Sequence, residues 1–155
     1  MKKIIKKILI IGSVIFLLIQ LYQPARNLAY EQDLTANFTK VYTVPENVKT
    51  ILRTSCYDCH SNNTNYPWYS YIQPVRMVME SHINEGKENL NFNEWGNYSS
   101  RKQNNKLDRI VKQIKSDEMP LSSYTLIHRN AILTPTQKKE VINWIQKITD
   151  SLSSE

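Results

Sequence analysis

The strongest pattern in the sequence is an uncharged apolar stretch near the N-terminus. Residues 8–25 contain no charged side chain, and they follow a cluster of lysines: Lys2, Lys3, Lys6 and Lys7. The stretch is apolar on all sides and lacks the polar stripe of a helix packed on a soluble domain. As a helix it would extend about 27 Å, close to the thickness of a bilayer's hydrocarbon core. We therefore predict a basic tip and a transmembrane helix over residues 1–25.

The flanks of this stretch predict its orientation. Lysines precede the stretch and none follows it immediately, so the positive-inside rule places the N-terminus in the cytoplasm. The exit, residues 20–26, has no A-x-A-type cleavage site, which favours an uncleaved anchor over a signal peptide. No cysteine precedes Cys56, so a lipidation site is absent there. We expect a single-pass inner-membrane protein with its C-terminal domain on the periplasmic side.

Four later segments show the apolar spacing of amphipathic helices. They begin at Pro45, at Pro74, at about residue 100 and at Pro135, and Gly86 is placed to end the second. The expected apolar faces are Val48, Ile51 and Leu52; Val75, Val78, Met79, His82 and Ile83; Leu107, Ile110, Val111 and Ile114; and Val141, Ile142, Trp144, Ile145, Ile148 and Leu152. No strand-like alternation extends beyond a few residues. The pattern predicts an all-α domain over residues 45–152, joined to the anchor by a polar linker, residues 26–44.

Composition and charge exclude several classes of protein. The net charge is +6, but the four N-terminal lysines supply most of it, and no basic stripe remains for nucleic acid. From residue 23 onward only 48 of 133 residues are hydrophobic, about 36%, which is lean for a self-sufficient core. A large apolar group at the centre would help the domain fold. The only two cysteines, Cys56 and Cys59, are too close together to staple distant segments.

The segment Cys56-Tyr57-Asp58-Cys59-His60 is a C-x-x-C-H haem-attachment pattern. Two thiols three positions apart can reach the two vinyl groups on one edge of a porphyrin, which leaves the next residue, His60, beneath the iron. We predict one covalent haem c, with thioethers to Cys56 and Cys59 and His60 as the proximal ligand. A thioredoxin-like dithiol would need a β-rich frame, and a zinc site would need two more ligands.

Three side chains compete for the other face of the iron. Met119 stands in a Met-Pro step between two predicted helices, and Met–His ligation raises the reduction potential relative to two histidines. His82 lies on an apolar helix face, where a histidine is either hydrogen-bonded or ligating. His128 follows Tyr124 by one turn, and the two can hydrogen-bond to each other. We predict Met119 as the distal ligand, with His82, His128 or an open position as alternatives.

The same residues carry a resemblance to known families. The order of helix, C-x-x-C-H, central helices, Met-Pro loop and closing helix resembles a monohaem class I cytochrome c. The stretch from Cys56 to Tyr69, with His82 to Gly86 and Leu90 to Phe92, is more similar to the small bacterial haem-binding domain family. The resemblance implies c-type haem bound by Cys56, Cys59 and His60, and no defined reaction.

Neighbouring side chains are candidates for the haem pocket. The aromatics Trp68, Tyr69, Tyr71, Trp95 and Tyr98 are plausible walls or propionate donors, but core packing explains them at least as well. Arg76 and Arg101 could neutralise propionates, but solvation is the better explanation for both. We therefore assign none of these residues to the site.

We expect single-electron transfer in the periplasm with unknown redox partners. The alternative is a haem-based sensor or a ligand-binding module with a labile sixth site. A peroxidase is disfavoured because no distal acid–base pair is evident.

Overall fold

The computed structural model describes residues 1–29 and 37–153, and these residues form helices connected by loops. The eight α-helices are α1 (Lys2–Ile19), α2 (Phe38–Val41), α3 (Glu46–Ser55), α4 (Tyr57–His60), α5 (Val75–Asn89), α6 (Ser100–Lys115), α7 (Ser122–Thr125) and α8 (Pro135–Ser153). Three 3₁₀ segments connect them: Trp68–Tyr71, Phe92–Asn97 and Arg129–Ala131. The described part contains no strand beyond a single bridge between Leu28 and Asn63. The predicted all-α class is confirmed.

The four predicted amphipathic helices are α3, α5, α6 and α8. The helix α3 buries Val48, Ile51 and Leu52, as expected. It contacts both α4 and α8, while α6 packs on α8 and α5 packs on α4.

Helix α5 departs from the prediction in its buried face and its end. Its inward positions are Arg76, Glu80 and Ile83, whereas Val75 and Val78 are exposed. Burial of the two charged residues is possible because they are partnered, with 4.0 Å between Arg76 Nε and Glu80 Oε1. The prediction that Gly86 ends the helix is wrong, since α5 continues to Asn89.

Gly86 serves close packing instead. A Cβ placed there would lie 2.7 Å from the carbonyl oxygen of Cys59, so only glycine lets α5 approach α4 this closely. The residue is helical and needs no unusual φ angle.

The segment expected to be a linker contributes to the core where the structure describes it. Phe38 is 1% exposed and lies edge-on to three core rings, with centroid distances of 5.1 Å to Phe92, 4.7 Å to Trp95 and 5.5 Å to Trp144. Upstream, the backbone N–H of Ala29 donates to the carbonyl of Asn62. Aromatic packing and backbone pairing thus attach residues 26–29 and 37–44 to the domain. Residues 30–36 of the predicted linker lie outside the described part.

Helix α1 is shorter than the predicted span. It ends at Ile19, and its first two turns carry the four lysines. None of its residues is buried. Among the described residues, no helix combines the length and the apolar character needed to cross a membrane. The predicted transmembrane helix is therefore not supported.

Candidate functional site

A cavity of about 360 Å³ lies between α4, α5 and α6. Its volume falls within the roughly 300–1,000 Å³ typical of cofactor and ligand sites. Five of the predicted site residues line it: Cys56, Cys59, His60, His82 and Met119. The remaining walls come mainly from apolar side chains of the central and closing segments: Leu90, Phe92, Ile110, Ile114, Leu121 and Leu133. The fold therefore brings residues 56–60 and Met119, far apart in sequence, to one apolar cavity.

The C-x-x-C-H segment reaches the cavity because α3 ends directly against it. The side chains of Leu52 and Ser55 are buried at the end of α3, and Cys56 begins the single turn of α4. The backbone N–H of His60 donates to the carbonyl of Cys56 over 3.0 Å. This turn places both thiols and the imidazole at the same wall.

The tautomer of His60 follows from its hydrogen bonds. Its Nδ1 atom is 2.9 Å from the carbonyl oxygen of Gly86 and 3.0 Å from that of Leu90. Because carbonyl oxygens only accept hydrogen bonds, Nδ1 carries the proton and the lone pair resides on Nε2. Burial lowers the pKa of His60 despite the two carbonyl contacts, which keeps the ring neutral. A neutral imidazole with a backbone-bound Nδ1–H is the form that ligates a metal.

The two cysteines are poorly suited to thiolate chemistry. Burial, with a smaller contribution from Cys59, raises the pKa of Cys56 to about 12. Burial, with a smaller contribution from Asp58, raises the pKa of Cys59 to about 11. A thioredoxin-type nucleophile needs a lowered pKa. Among residues 1–29 and 37–153 no three histidine, cysteine or acidic side chains form a metal-binding group, so the zinc alternative also lacks support.

Two basic residues of α6 lie at the cavity, and sequence reasoning missed them. Lys106 and Arg109 share a helical face with Ile110, Gln113 and Ile114, all of which line the cavity. The signal was present, because these residues fall at helical spacing on a helix that was predicted. Arg76 and Arg101, whose possible role as propionate partners was weighed against solvation, do not line this cavity.

Arg76 and Arg101 lie outside the cavity. Arg76 is buried on the far side of α5, where its guanidinium donates to Gln23 Oε1 over 2.6 Å and to the carbonyl of Pro24. Arg101 is exposed in the first turn of α6.

The predicted aromatic residues are divided among other places. Trp95 is fully buried in the core beneath Phe92, and Trp68 and Tyr71 are exposed. Tyr124, which was not among the predicted wall residues, lines the cavity and donates to Asp58 Oδ2 over 2.7 Å.

His128 does not line the main cavity. It lines an adjoining space of about 130 Å³, where its ring stacks on Tyr124 with 4.2 Å between centroids. Its Nε2 atom contacts the hydroxyl of Tyr69. These contacts account for His128 without a metal.

The model of a family described as "Haem-binding domain" matches residues 14–147. The chain belongs to the haem-binding domain family. No curated protein and no solved structure matches.

The residues that line this cavity are compatible with the group that the family binds. The cavity holds two thiols, one neutral imidazole with a free Nε2 and a predominantly apolar lining. Two cations, Lys106 and Arg109, lie on the α6 wall, where they would face the carboxylates of a porphyrin, and two acidic residues, Asp58 and Glu85, lie on other walls. Haem binding is thus established by family, and the donor set of this cavity is consistent with it.

Proposed function

We propose that this haem-binding protein carries a single covalent haem c in the cavity and uses it for one-electron transfer. The observation that carries the proposal is the placement of Cys56, Cys59 and the free Nε2 of His60 at one wall of the cavity. When bound, the haem would supply the one-electron redox chemistry. The two cysteines would hold it by thioethers, and His60 would bind the iron from the α5 side.

The remaining cavity residues would orient the group and exclude water. Phe92, Ile114 and Leu133 are buried and would cover apolar faces. Lys106 and Arg109 would pair with the propionates and fix the orientation of the ring.

Met119 is the proposed distal ligand. It lies on the segment after α6, whereas His82 lies on α5, the helix that also holds the imidazole of His60. Because α5 holds the proximal imidazole, a ligand on another element is better placed to approach the iron from the opposite face. His82 remains the competing ligand because it lines the same cavity.

We further propose that α1 anchors the domain to the inner membrane, with the domain in the periplasm. The apolar side chains of α1 are exposed to water unless something covers them; Ile4 is 63% exposed and Phe16 49%. Covalent attachment of haem to C-x-x-C-H occurs outside the cytoplasm, which agrees with the charge asymmetry around α1. Redox partner proteins would then lie on the periplasmic side.

The attachment is tested by mass. The full chain is expressed with a working cytochrome-maturation apparatus, and the purified protein should exceed its polypeptide mass by one haem. The Cys56→Ser, Cys59→Ser double variant should lose this increment. A coloured wild-type protein that releases its haem on denaturation would refute the covalent assignment while leaving haem binding intact.

The distal ligand is tested by spectroscopy of the ferric protein. Met119→Ala should turn the iron high-spin and remove the methionine-to-iron charge-transfer band, whereas the matched variant Met77→Ala should leave both unchanged. A high-spin His82→Ala variant together with an unchanged Met119→Ala variant would reverse the assignment.

The competing function is a haem-based sensor. It would show rapid CO binding to the ferrous wild-type protein, whereas the electron carrier should bind CO slowly. Rapid binding would overturn the electron-transfer proposal and favour sensing.

A further inference from the structure

The exposed apolar side chains of the domain cluster around one residue, Gln73. The described part has ten exposed large apolar side chains after residue 22, and six of them lie within five positions of Gln73. We call this group the apolar rim: Trp68, Tyr71, Ile72, Val75, Met77 and Val78. Its members are 40–76% exposed, with Trp68 the most exposed. A cluster of this kind indicates an interaction surface.

The rim is also free of exposed charge. Between His60 and Glu80 the only charged side chain is Arg76, which is 5% exposed and bonded to Gln23 and Pro24. On an ordinary solvated surface, a stretch of this length carries several exposed charged residues. Arg26 is exposed, and its guanidinium lies 4.4 Å from the centre of the Tyr71 ring, at the border of the rim.

The rim is joined to the end of α1 by reciprocal hydrogen bonds. The backbone N–H of Gln73 donates to Gln20 Oε1 over 2.9 Å, and Gln20 Nε2 donates to the carbonyl of Gln73 over 3.3 Å. The fully buried side chain of Gln73 also donates to the carbonyl of Tyr22 over 2.6 Å. The point where the apolar helix leaves the domain is therefore fixed beside the rim.

We propose that the apolar rim docks on the lipid headgroup region around the outer end of α1. The inference rests on the anchoring role of α1 proposed above. Exposed tryptophan and tyrosine beside the end of an apolar helix are typical of a membrane–water interface, where their rings combine apolar and polar contacts. Arg26 at the border would meet lipid phosphates. A soluble protein partner explains the apolar surface but not its continuity with α1.

The short apolar part of α1 is a physical reason for this docking. Its uncharged part, residues 8–19, extends about 18 Å as a helix, well short of a hydrocarbon core of about 30 Å. A short apolar helix is accommodated by local thinning and by snorkelling of flanking lysines. A domain whose apolar face enters the interface adds apolar contact at the end where the helix falls short.

The experiment uses the haem-loaded full chain in phospholipid nanodiscs. Trp68 is the one exposed tryptophan, since Trp95 and Trp144 are 0% and 9% exposed. The fluorescence of Trp68 is obtained by subtracting the emission of Trp68→Phe from that of the wild type. Lipids brominated near the headgroup end of their chains should lower this difference by about half, and deeply brominated lipids should lower it less. No quenching by either lipid would overturn the proposal.

A pair of charge variants provides the matched control. Val78→Glu should shift the remaining rim away from the lipid and reduce the quenching of Trp68, whereas Val41→Glu, the same change at a 39% exposed position on α2, should not. Equal effects of the two variants would count against the proposal.

Flotation with vesicles separates the two proposals. Flotation without Trp68 quenching would refute the docking and leave the anchor standing, and failure to float would refute the anchor itself. A detergent-stable dimer that Val78→Glu dissociates would assign the rim to a second copy and likewise overturn the lipid assignment.

Discussion

Replacement of Gly86 by alanine tests the close packing that supports His60. The new Cβ would lie 2.7 Å from the Cys59 carbonyl oxygen and 3.2 Å from its carbonyl carbon and Cβ. Backbone cannot rotate away as a flexible side chain can, so α5 must retreat by about 0.7 Å to restore a contact near 3.4 Å. The same movement would stretch the 2.9 Å bond from His60 Nδ1 to the Gly86 carbonyl beyond hydrogen-bond range.

The expected cost follows from these displacements. Overpacking costs about 1–3 kcal/mol, and the better helix propensity of alanine offsets up to about 1 kcal/mol of it. We expect a net loss of about 1–2 kcal/mol, seen as a thermal midpoint lower by several degrees in far-UV circular dichroism. The His60 ring would then be held by Leu90 alone, and loss of one hydrogen bond to Nδ1–H should raise the reduction potential of the haem because the imidazole becomes a weaker donor.

Gly12→Ala is the matched control. It has the same chemistry within a helix, and the new Cβ would have nothing within 4 Å. A Gly86→Ala protein as stable as this control, with an unchanged reduction potential, would show that the close approach of α5 does not position His60.

Other expectations follow from single contacts. Tyr57→Phe should leave the free energy of unfolding unchanged or raise it by up to about 1 kcal/mol, because the buried Tyr57 hydroxyl has no partner among the described residues. Tyr66→Phe should lower it by about 1–3 kcal/mol, since that hydroxyl accepts from the Asn27 N–H and donates to Glu80; urea unfolding measures both, and equal effects would contradict the contacts. Burial raises the pKa of Tyr66 to about 12, above its unfolded value. The stabilising contribution of the neutral Tyr66 hydroxyl is therefore complete below pH 10 and is lost as pH rises through 12. The urea midpoint, followed from pH 9 to 12, should fall less in Tyr66→Phe than in the wild type. Protein made without haem should show much less helix by circular dichroism, and a fully native apo spectrum would contradict that expectation.

Helical periodicity predicted the elements of this fold well, and it failed where distant segments decide burial. Apolar spacing located α3, α5, α6 and α8, and proline marked three of their beginnings. The pattern could not show that Arg76 faces inward, because its partners Gln23 and Pro24 are more than 50 positions away. It could not show that Phe38 joins the core, since a four-residue helix carries too little periodicity.

The candidate site was predicted in part. The spacing of C-x-x-C-H fits a single turn, so the sequence alone predicted that Cys56, Cys59 and His60 lie together, and all three line one cavity. Gly86 was predicted to end a helix, but it allows close packing instead. Both roles depend on the missing Cβ, so the sequence alone could not distinguish them. Lys106 and Arg109 were missed because a basic residue on an amphipathic helix is usually solvated, and only tertiary packing turns that face toward a cavity.

Helix α5 connects the two proposals physically. Near its first turn, Val75 and Val78 belong to the apolar rim; near its last, the carbonyls of Gly86 and Leu90 hold the imidazole of His60. Val75 and Gly86 are about 16 Å apart along the helix axis, so a rigid α5 would set the distance between the lipid surface and the iron. The buried Arg76–Glu80 pair, bonded to the segment that follows α1, keeps the first half of this helix in place. A change that loosens this half should therefore alter the membrane contact and leave the bonds to His60 intact, whereas Gly86→Ala should do the reverse.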